Sequence, residues 1–169
     1  MEITQSRLHE LFDYKDGNLI WKVAKAAKLK VGDIAGYLDI CGYIVIGVDY
    51  KIYRAHRLIY LYHNGYLPLY LDHIDGNRSN NKIDNLRSAT ISQNQMNRKL
   101  STRNTSGTKG VVWDKRSKRW VVRVVAESKE YFFGYFEDKE LAKSVAIKAT
   151  NKIHKEFSLY KGVLNGQER

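Results

Sequence analysis

The stretch Leu71-Asp72-His73-Ile74-Asp75-Gly76-Asn77-Arg78-Ser79-Asn80-Asn81-Lys82-Ile83-Asp84-Asn85-Leu86-Arg87 decides the fold of the first part of this chain. Gly and Asn are residues that turns favour, and Asp75-Gly76-Asn77 predicts a turn. We therefore predict a strand that ends at His73, a polar loop, and a second strand over 86–89. Thr90-Ile91-Ser92-Gln93 has the Thr-x-x-Gln spacing of a capping box, which predicts a helix over 92–99.

This strand–loop–strand–helix unit carries polar groups suited to one chemistry. Hydrolysis of a phosphodiester needs a group that accepts the proton of water, and a neutral imidazole such as that of His73 can do so. It also needs stabilisation of the leaving oxygen, which a divalent cation on carboxylate and amide oxygens supplies. Asp72 and Asn94 suit the metal, and Asn85 could hydrogen-bond the imidazole and fix its orientation. Asp75 is either a second acid or a turn residue, and the turn is favoured.

The composition of the chain indicates what kind of molecule the protein binds. The 169 residues contain 29 Lys and Arg against 18 Asp and Glu, a net charge of +11 that favours a polyanion such as nucleic acid. Cys41 is the single cysteine, which excludes an internal disulfide framework and a Cys-based zinc site. The N-terminus lacks the apolar core of a signal peptide, and no run reaches membrane-spanning length. We expect a soluble, cytoplasmic protein with no membrane partner.

The run from Asp72 to Arg87, followed by Gln93-Asn94, resembles the HNH endonucleases of phage homing elements, in the subgroup with Asn at the third motif position. The resemblance implies a ββα-metal fold in which His73 is the general base, Asn85 the middle Asn, and Asp72 with Asn94 the ligands of one Mg²⁺ or Mn²⁺. Double-stranded DNA is the implied partner.

One base and one metal per chain imply one strand cut per active site, so that a monomer nicks and a double-strand break needs two copies. We expect a monomer or a DNA-induced dimer in the host cytoplasm, with no protein partner evident. Ala55-His56-Arg57-Leu58-Ile59-Tyr60 resembles the lead-in of the same family, where we expect a structural or phosphate-contacting role for His56.

The C-terminal part has a second pattern. Three strands are predicted at 109–113, 119–125 and 131–136, followed by an amphipathic helix over 137–153. Lys109-Gly110-Val111-x-Trp113, Lys118-Arg119-Trp120 and Phe133-Gly134-x-Phe136 resemble the AP2-type DNA-binding domain, a three-stranded antiparallel sheet on one helix.

Strand alternation predicts Val121, Arg123 and Val125 on the outer face, and Trp120, Val122 and Val124 toward the helix. Arg and Lys on such a sheet can contact phosphates and guanine edges. A charged, solvated rim is the alternative for two or three of them. The candidate DNA contacts are Arg57, Arg78, Arg87, Lys109, Trp113, Lys115, Arg116, Lys118, Arg119 and Arg123.

Together these patterns predict an α+β protein: a ββα-metal HNH unit with an N-terminal β-rich extension, plus an AP2-like three-stranded antiparallel sheet packed on one helix. We expect an HNH nuclease domain at 1–99 (ββα-metal core about 69–99), a linker at 100–107, an AP2-like domain at 108–160 and a tail at 161–169. The predicted function is a metal-dependent DNA endonuclease of homing type.

The main alternative is a sequence-specific DNA-binding regulator with a non-catalytic HNH scaffold. An RNA-binding role has little support, because the aromatic residues are spread through core patterns. His9, His63 and His154 lack partners at ligand spacing and are expected to be solvated.

Overall fold

Two compact units make up the chain, Met1–Ala89 and Thr90–Arg169. The computed structural model describes residues 3–24 and 29–160, so the predicted tail at 161–169 lies outside the described residues. Both units mix helices with small antiparallel sheets. Within the described ranges, no helix is long and apolar enough to cross a membrane.

The described residues of the first unit form two α-helices and three small antiparallel sheets, paired as β1–β2, β3–β4–β5 and β6–β7. The elements are α1 (Gln5–Leu11), β1 (Phe12–Lys15), β2 (Asn18–Trp21), β3 (Tyr37–Leu38), β4 (Ile44–Val48), β5 (Lys51–Arg54), α2 (Ala55–Asn64), β6 (Leu71–His73), a 3-10 turn (Ile83–Asn85) and β7 (Leu86–Ser88).

Local chemistry sets the ends of these elements. The Thr4 side chain accepts a hydrogen bond from the backbone N–H of Arg7 and so caps α1. Helix α2 ends at Gly65, whose φ of 72° is a left-handed conformation that glycine adopts without strain. Apolar side chains of both helices and of β1, β2 and β4 pack into one core, with Leu8, Phe12, Leu19, Ile46, Leu58 and Ile59 at most 1% exposed.

The predicted hairpin around the polar loop is confirmed. Strands β6 and β7 pair antiparallel, with Asp72 opposite Arg87 and His73 opposite Leu86. The 3-10 turn brings the chain from the loop into β7. The hairpin thus holds Asp72 and His73 on one short strand, both buried.

The second unit begins with α3 (Ile91–Asn97), which has the predicted capping box: Thr90 accepts from the N–H of Gln93, and the Gln93 side chain accepts from the N–H of Thr90. The unit continues with β8 (Val111–Asp114), β9 (Arg119–Ala126), β10 (Lys129–Phe136) and α4 (Lys139–His154). Helix α3 therefore groups with the second unit.

The three predicted strands and the helix after them are confirmed, with β9 in the centre of the sheet and α4 packed against it. Val111, Val122, Ala142 and Ala146 form the core between sheet and helix, each at most 1% exposed. Val121, predicted on the outer face, is buried to 6% exposure. The reason is its central position, because Val112 and Tyr135 flank it on the neighbouring strands.

Two further features of the second unit were not expected, one at Ser106 and one at His154. The segment predicted as a linker makes hydrogen bonds of its own: Ser106 Oγ donates to the carbonyl of Thr108 at 2.8 Å, and both residues are buried. His154, expected to be solvated, is 5% exposed, and its Nε2 lies 2.9 Å from the carbonyl of Val125. Ser106 and His154 are therefore buried side chains of the second unit.

Candidate active site

His73 is held by a neighbour that the sequence did not single out. Its Nε2 lies 3.1 Å from Oδ1 of Asn81, which is 3% exposed. Because an amide oxygen only accepts, Nε2 donates, and the lone pair of the neutral imidazole then lies on Nδ1. Burial lowers the pKa of His73 below its ordinary value, against the opposing effects of the Asn81 hydrogen bond and of Asp75 and Asp72. His73 is thus set up as a neutral imidazole with one defined accepting nitrogen.

Asn85 was expected to hydrogen-bond this imidazole, and its amide instead bonds to groups of the loop. Its Nδ2 donates to Asp75 Oδ1 at 2.9 Å and to the carbonyl of Asn80 at 2.8 Å. Its Oδ1 accepts from the backbone N–H of Asp75 at 3.1 Å. These bonds commit the whole amide of Asn85 to the loop, so Asn85 shapes the loop while Asn81 holds the ring.

Asp75 organises the turn, as was favoured over a role as second acid. Its Oδ1 accepts from the N–H of Asn77 at 2.8 Å, and its Oδ2 accepts from Asn80 Nδ2 at 2.7 Å. Burial acts to raise the pKa of Asp75, but the hydrogen bonds from Asn80, Asn77 and Asn85 outweigh it, and the net pKa is lowered. The carboxylate therefore stays ionised and ties the loop together.

Asp72 forms an ion pair with Arg87 across the hairpin. Arg87 Nε and Nη2 both contact Asp72 Oδ2, at 2.9 and 2.7 Å, and the two side chains are 15% and 10% exposed. Arg87 was a candidate DNA contact, but its guanidinium serves this carboxylate instead. The pair links the two strands of the hairpin through nearly buried side chains.

The predicted metal ligands, Asp72 and Asn94, belong to different units, with Asn94 half-buried on α3. In the described part of the chain, no three His, Cys, Asp or Glu side chains converge into a metal site. The predicted ligand set differs from such a group because it has one carboxylate and one amide. The hard oxygens of these two groups fit Mg²⁺ or Mn²⁺. The two residues therefore stay candidate ligands on the chemistry of their oxygens.

A second histidine packs against His73. The ring centroids of His56 and His73 are 4.9 Å apart, edge to face, and the Tyr43 ring lies 5.4 Å from His56 and 6.2 Å from His73. His56 is 5% exposed, and its Nδ1 has no hydrogen-bond partner among the described residues. Burial lowers the pKa of His56 to about 3, helped by the charges of His73, Arg54 and Arg57. Of the two roles expected for His56, this burial favours the structural one over phosphate contact.

Two of the candidate DNA contacts in the first unit differ in their surroundings. Arg57 is half-buried, and its Nη1 points to the carbonyls of Pro68 and Leu69 at 3.5 and 3.4 Å. Arg78 is exposed at the polar loop, and its Nη1 donates to the carbonyl of Cys41 at 2.9 Å. Arg78 is therefore the more accessible of the two.

Lys109 was a candidate DNA contact, and its ammonium is engaged within the protein. Its Nζ donates to the carbonyls of Gln95, Met96 and Arg98 at 2.6, 3.0 and 3.3 Å. These are the carbonyls that a helix leaves unsatisfied at its C-terminal end, here the end of α3. Burial lowers the pKa of Lys109, with a further contribution from the charge of Arg98. Lys109 is the cap of the helix that carries Asn94.

The other candidates of the second unit lie on its sheet or in the β8–β9 turn. Lys115, Arg116 and Lys118 are exposed in that turn, and Trp113 packs its ring 5.0 Å from that of Trp120. Arg119 and Arg123 are half exposed and form ion pairs with Glu137 at 3.4 Å and with Glu130 at 3.2 Å. The turn is therefore the densest set of exposed cations among these residues, and its contact with DNA remains a prediction.

Comparison with known proteins now adds the family. The model of the HNH endonuclease family matches residues 53–96. "Protein 3.8" of Escherichia phage T7 is 36% identical over 116 residues, which cover 66% of this chain and 93% of that protein. An uncharacterized HNH endonuclease of Acanthamoeba polyphaga mimivirus is 44% identical over 69 residues, 39% of this chain but only 36% of that longer protein. No solved structure matches the chain.

The chain belongs to the HNH endonuclease family. The matched segment, 53–96, contains β5, α2, the β6–β7 hairpin and most of α3, and so includes Asp72, His73, Asn85 and Asn94. HNH nucleases act on DNA and generally use a divalent metal ion. The family thus agrees with the chemistry of the residues that the hairpin holds.

Sequence reasoning missed Asn81, Tyr43 and Arg54 as neighbours of the site. Asn81 lay within the run but had the features of a turn residue, and its contact with His73 depends on how the loop folds back. Tyr43 directly precedes β4 and Arg54 is the last residue of β5, about 20 to 30 residues before His73 in the sequence. No spacing in the sequence joins these residues to His73.

Proposed function

We propose that this chain is a metal-dependent DNA endonuclease of phage homing type, with His73 as general base. The observation that carries the proposal is the buried imidazole of His73, fixed by Asn81 through Nε2 and next in sequence to Asp72, which pairs with Arg87. A base fixed on one nitrogen, with a pKa lowered by burial, is ready to accept a proton at neutral pH.

In this mechanism Nδ1 of His73 accepts the proton of the water that attacks the phosphodiester. The Asn81 hydrogen bond keeps the ring in place, and the loop tied by Asp75 and Asn85 keeps Asn81 in place. Asp72 and Asn94 would hold one Mg²⁺ or Mn²⁺, which when bound stabilises charge on the phosphate and the leaving 3′ oxygen. Each active site then cuts one strand, so a monomer nicks and two copies make a double-strand break.

The second unit, on this proposal, is an AP2-like module that targets the nuclease to DNA. Its support is the three-stranded sheet on one helix and the exposed cations of the β8–β9 turn. Residues 101–169 carry 15 Lys and Arg against 8 Asp and Glu, which favours contact with a phosphate backbone.

Conversion of supercoiled plasmid to nicked circles tests the activity. Wild type, His73→Ala and the matched control His63→Ala are compared with Mg²⁺, with Mn²⁺ and with EDTA. His63 is exposed, lies on α2 and has no part in the proposed chemistry. We expect metal-dependent nicking by wild type and His63→Ala, and its loss in His73→Ala.

Equal nicking by wild type and His73→Ala would refute His73 as the base. The DNA-binding regulator predicts a third result, in which wild type binds the plasmid and leaves it supercoiled with either metal.

A further inference from the structure

One aromatic ring near His73 has two arginines over it. The Cζ atoms of Arg54 and Arg78 lie 4.3 and 5.0 Å from the ring centroid of Tyr43. The two guanidinium carbons are therefore at most about 9 Å apart. Arg54 is the last residue of β5, Arg78 lies in the polar loop, and both are exposed. The end of β5 and the polar loop thus bring positive charge to one place.

The charge of these two arginines has no carboxylate partner in the part of the chain that the structure describes. Among the described residues neither Arg54 nor Arg78 makes an ion pair, whereas Arg7 pairs with Glu10 and Asp49 and Arg87 pairs with Asp72. Arg78 is anchored instead by its hydrogen bond to the carbonyl of Cys41. The Tyr43 ring attracts both cations through its face, which holds them near each other despite their repulsion. An anion bound between them would relieve that repulsion.

The position of Tyr43 indicates which anion. Its ring lies 6.2 Å from that of His73. Successive phosphates of one DNA strand follow each other at about 3.4 Å of helix axis, so the phosphates next to one bound at His73 are within reach of the groups around Tyr43. The planar guanidinium of arginine can donate two hydrogen bonds to two oxygens of one phosphate. The ammonium of lysine matches this geometry less well.

We propose that Tyr43, Arg54 and Arg78 form a phosphate-binding site that holds the cleaved DNA strand beside the scissile bond. This inference rests on the proposed function, and it adds Tyr43 and Arg54 as positioning residues for the strand that His73 acts on.

The experiment measures binding without cleavage. A fluorescein-labelled DNA duplex is titrated in EDTA at several salt concentrations with wild type, Arg54→Gln/Arg78→Gln and Arg54→Lys/Arg78→Lys. Lys15→Gln/Lys30→Gln is the matched control, because it removes two exposed charges from the same unit. Urea-unfolding midpoints show that each variant is folded. Plasmid nicking with Mg²⁺ is measured on the same preparations.

We expect the glutamine pair to reduce the slope of log affinity against log salt by about two, since each lost phosphate contact removes about 0.9. The lysine pair keeps the charges and should keep the slope, and the Lys15/Lys30 control should match wild type. A glutamine pair with an unchanged slope, or a control that loses as much, would overturn the phosphate site.

Failure of the site and failure of the proposed function give different results. If the glutamine pair lowers the slope but wild type nicks no plasmid, the phosphate site stands and the nuclease proposal falls. If wild type nicks plasmid and the slopes are equal, the nuclease stands and the site falls. Wild type that binds no duplex even at low salt would overturn both.

Discussion

Replacement of His56 by leucine should make the first unit less sensitive to acid. The imidazole of His56 is buried, and its pKa is lowered from 6.5 to about 3. At a pH between these two pKa values, His56 is protonated in the unfolded chain but not in the folded chain, so acid favours unfolding. The penalty is absent above pH 7, grows as the pH falls through 6.5, and levels off below about 3.

The size of the effect follows from the same values. Each pKa unit corresponds to about 1.4 kcal/mol, so the His56 penalty between pH 7 and pH 5 is about 2 kcal/mol. His73, Arg54, Arg57 and the Tyr43 ring are the groups that face the imidazole, and a proton there would add a third positive charge to the two arginines. Leucine is close to histidine in size and removes the titrating group, along with the unpartnered Nδ1.

Urea unfolding followed by tryptophan fluorescence at pH 7 and pH 5 measures this effect. A Trp113→Phe/Trp120→Phe background leaves Trp21, 4% exposed in the core of the first unit, as the reporter. His56→Leu in that background should lose about 2 kcal/mol less stability from pH 7 to pH 5 than its parent does. His154→Leu, a buried histidine of the second unit, is the control and should behave as the parent. Equal acid losses in the parent and in His56→Leu would refute the argument that His56 is held neutral.

Three further substitutions test contacts described above. Arg87→Leu leaves the Asp72 carboxylate buried without its cation and should destabilise the first unit by about 3 kcal/mol in urea unfolding, whereas Arg119→Leu, which breaks an exposed pair, should cost roughly 0.5 kcal/mol or less. Lys109→Met removes the donor to three carbonyls of α3 and should lower the stability of the second unit by about 1 to 3 kcal/mol; thermal unfolding unchanged from wild type would contradict the cap. Asp138→Ala removes the side chain that caps α4 and should cost about 1 kcal/mol in the same assay, with Asp138→Asn restoring most of it.

The parts of the fold that local chemistry decides were predictable. The turn at Asp75-Gly76-Asn77 and the Thr90–Gln93 capping box each depend on residues within a few positions of each other, and the polar loop joins two strands that pair directly. The same holds for the alternation in β9, except at Val121, where neighbours on two other strands cover the side chain.

The contacts of individual polar side chains were harder to predict. Asn81 and Asn85 are chemically the same, and the fold of the loop alone decides that Asn81 meets His73 while Asn85 meets Asp75. Lys109 had the features of a surface cation in a basic domain, yet it caps a helix that ends 12 residues before it. Such hydrogen-bond partners can be predicted only once the tertiary structure is known, because the sequence offers several acceptors that could satisfy the same donor.

The single cysteine offers a practical use of the Cys41–Arg78 contact. Cys41 is exposed, and its carbonyl oxygen binds the guanidinium of Arg78. A maleimide dye would therefore attach to the native sequence at one position, two residues before Tyr43 of the proposed phosphate site. Its emission would follow the arrival and departure of DNA at that site in real time, and stopped-flow mixing could separate the binding of the strand from its cleavage.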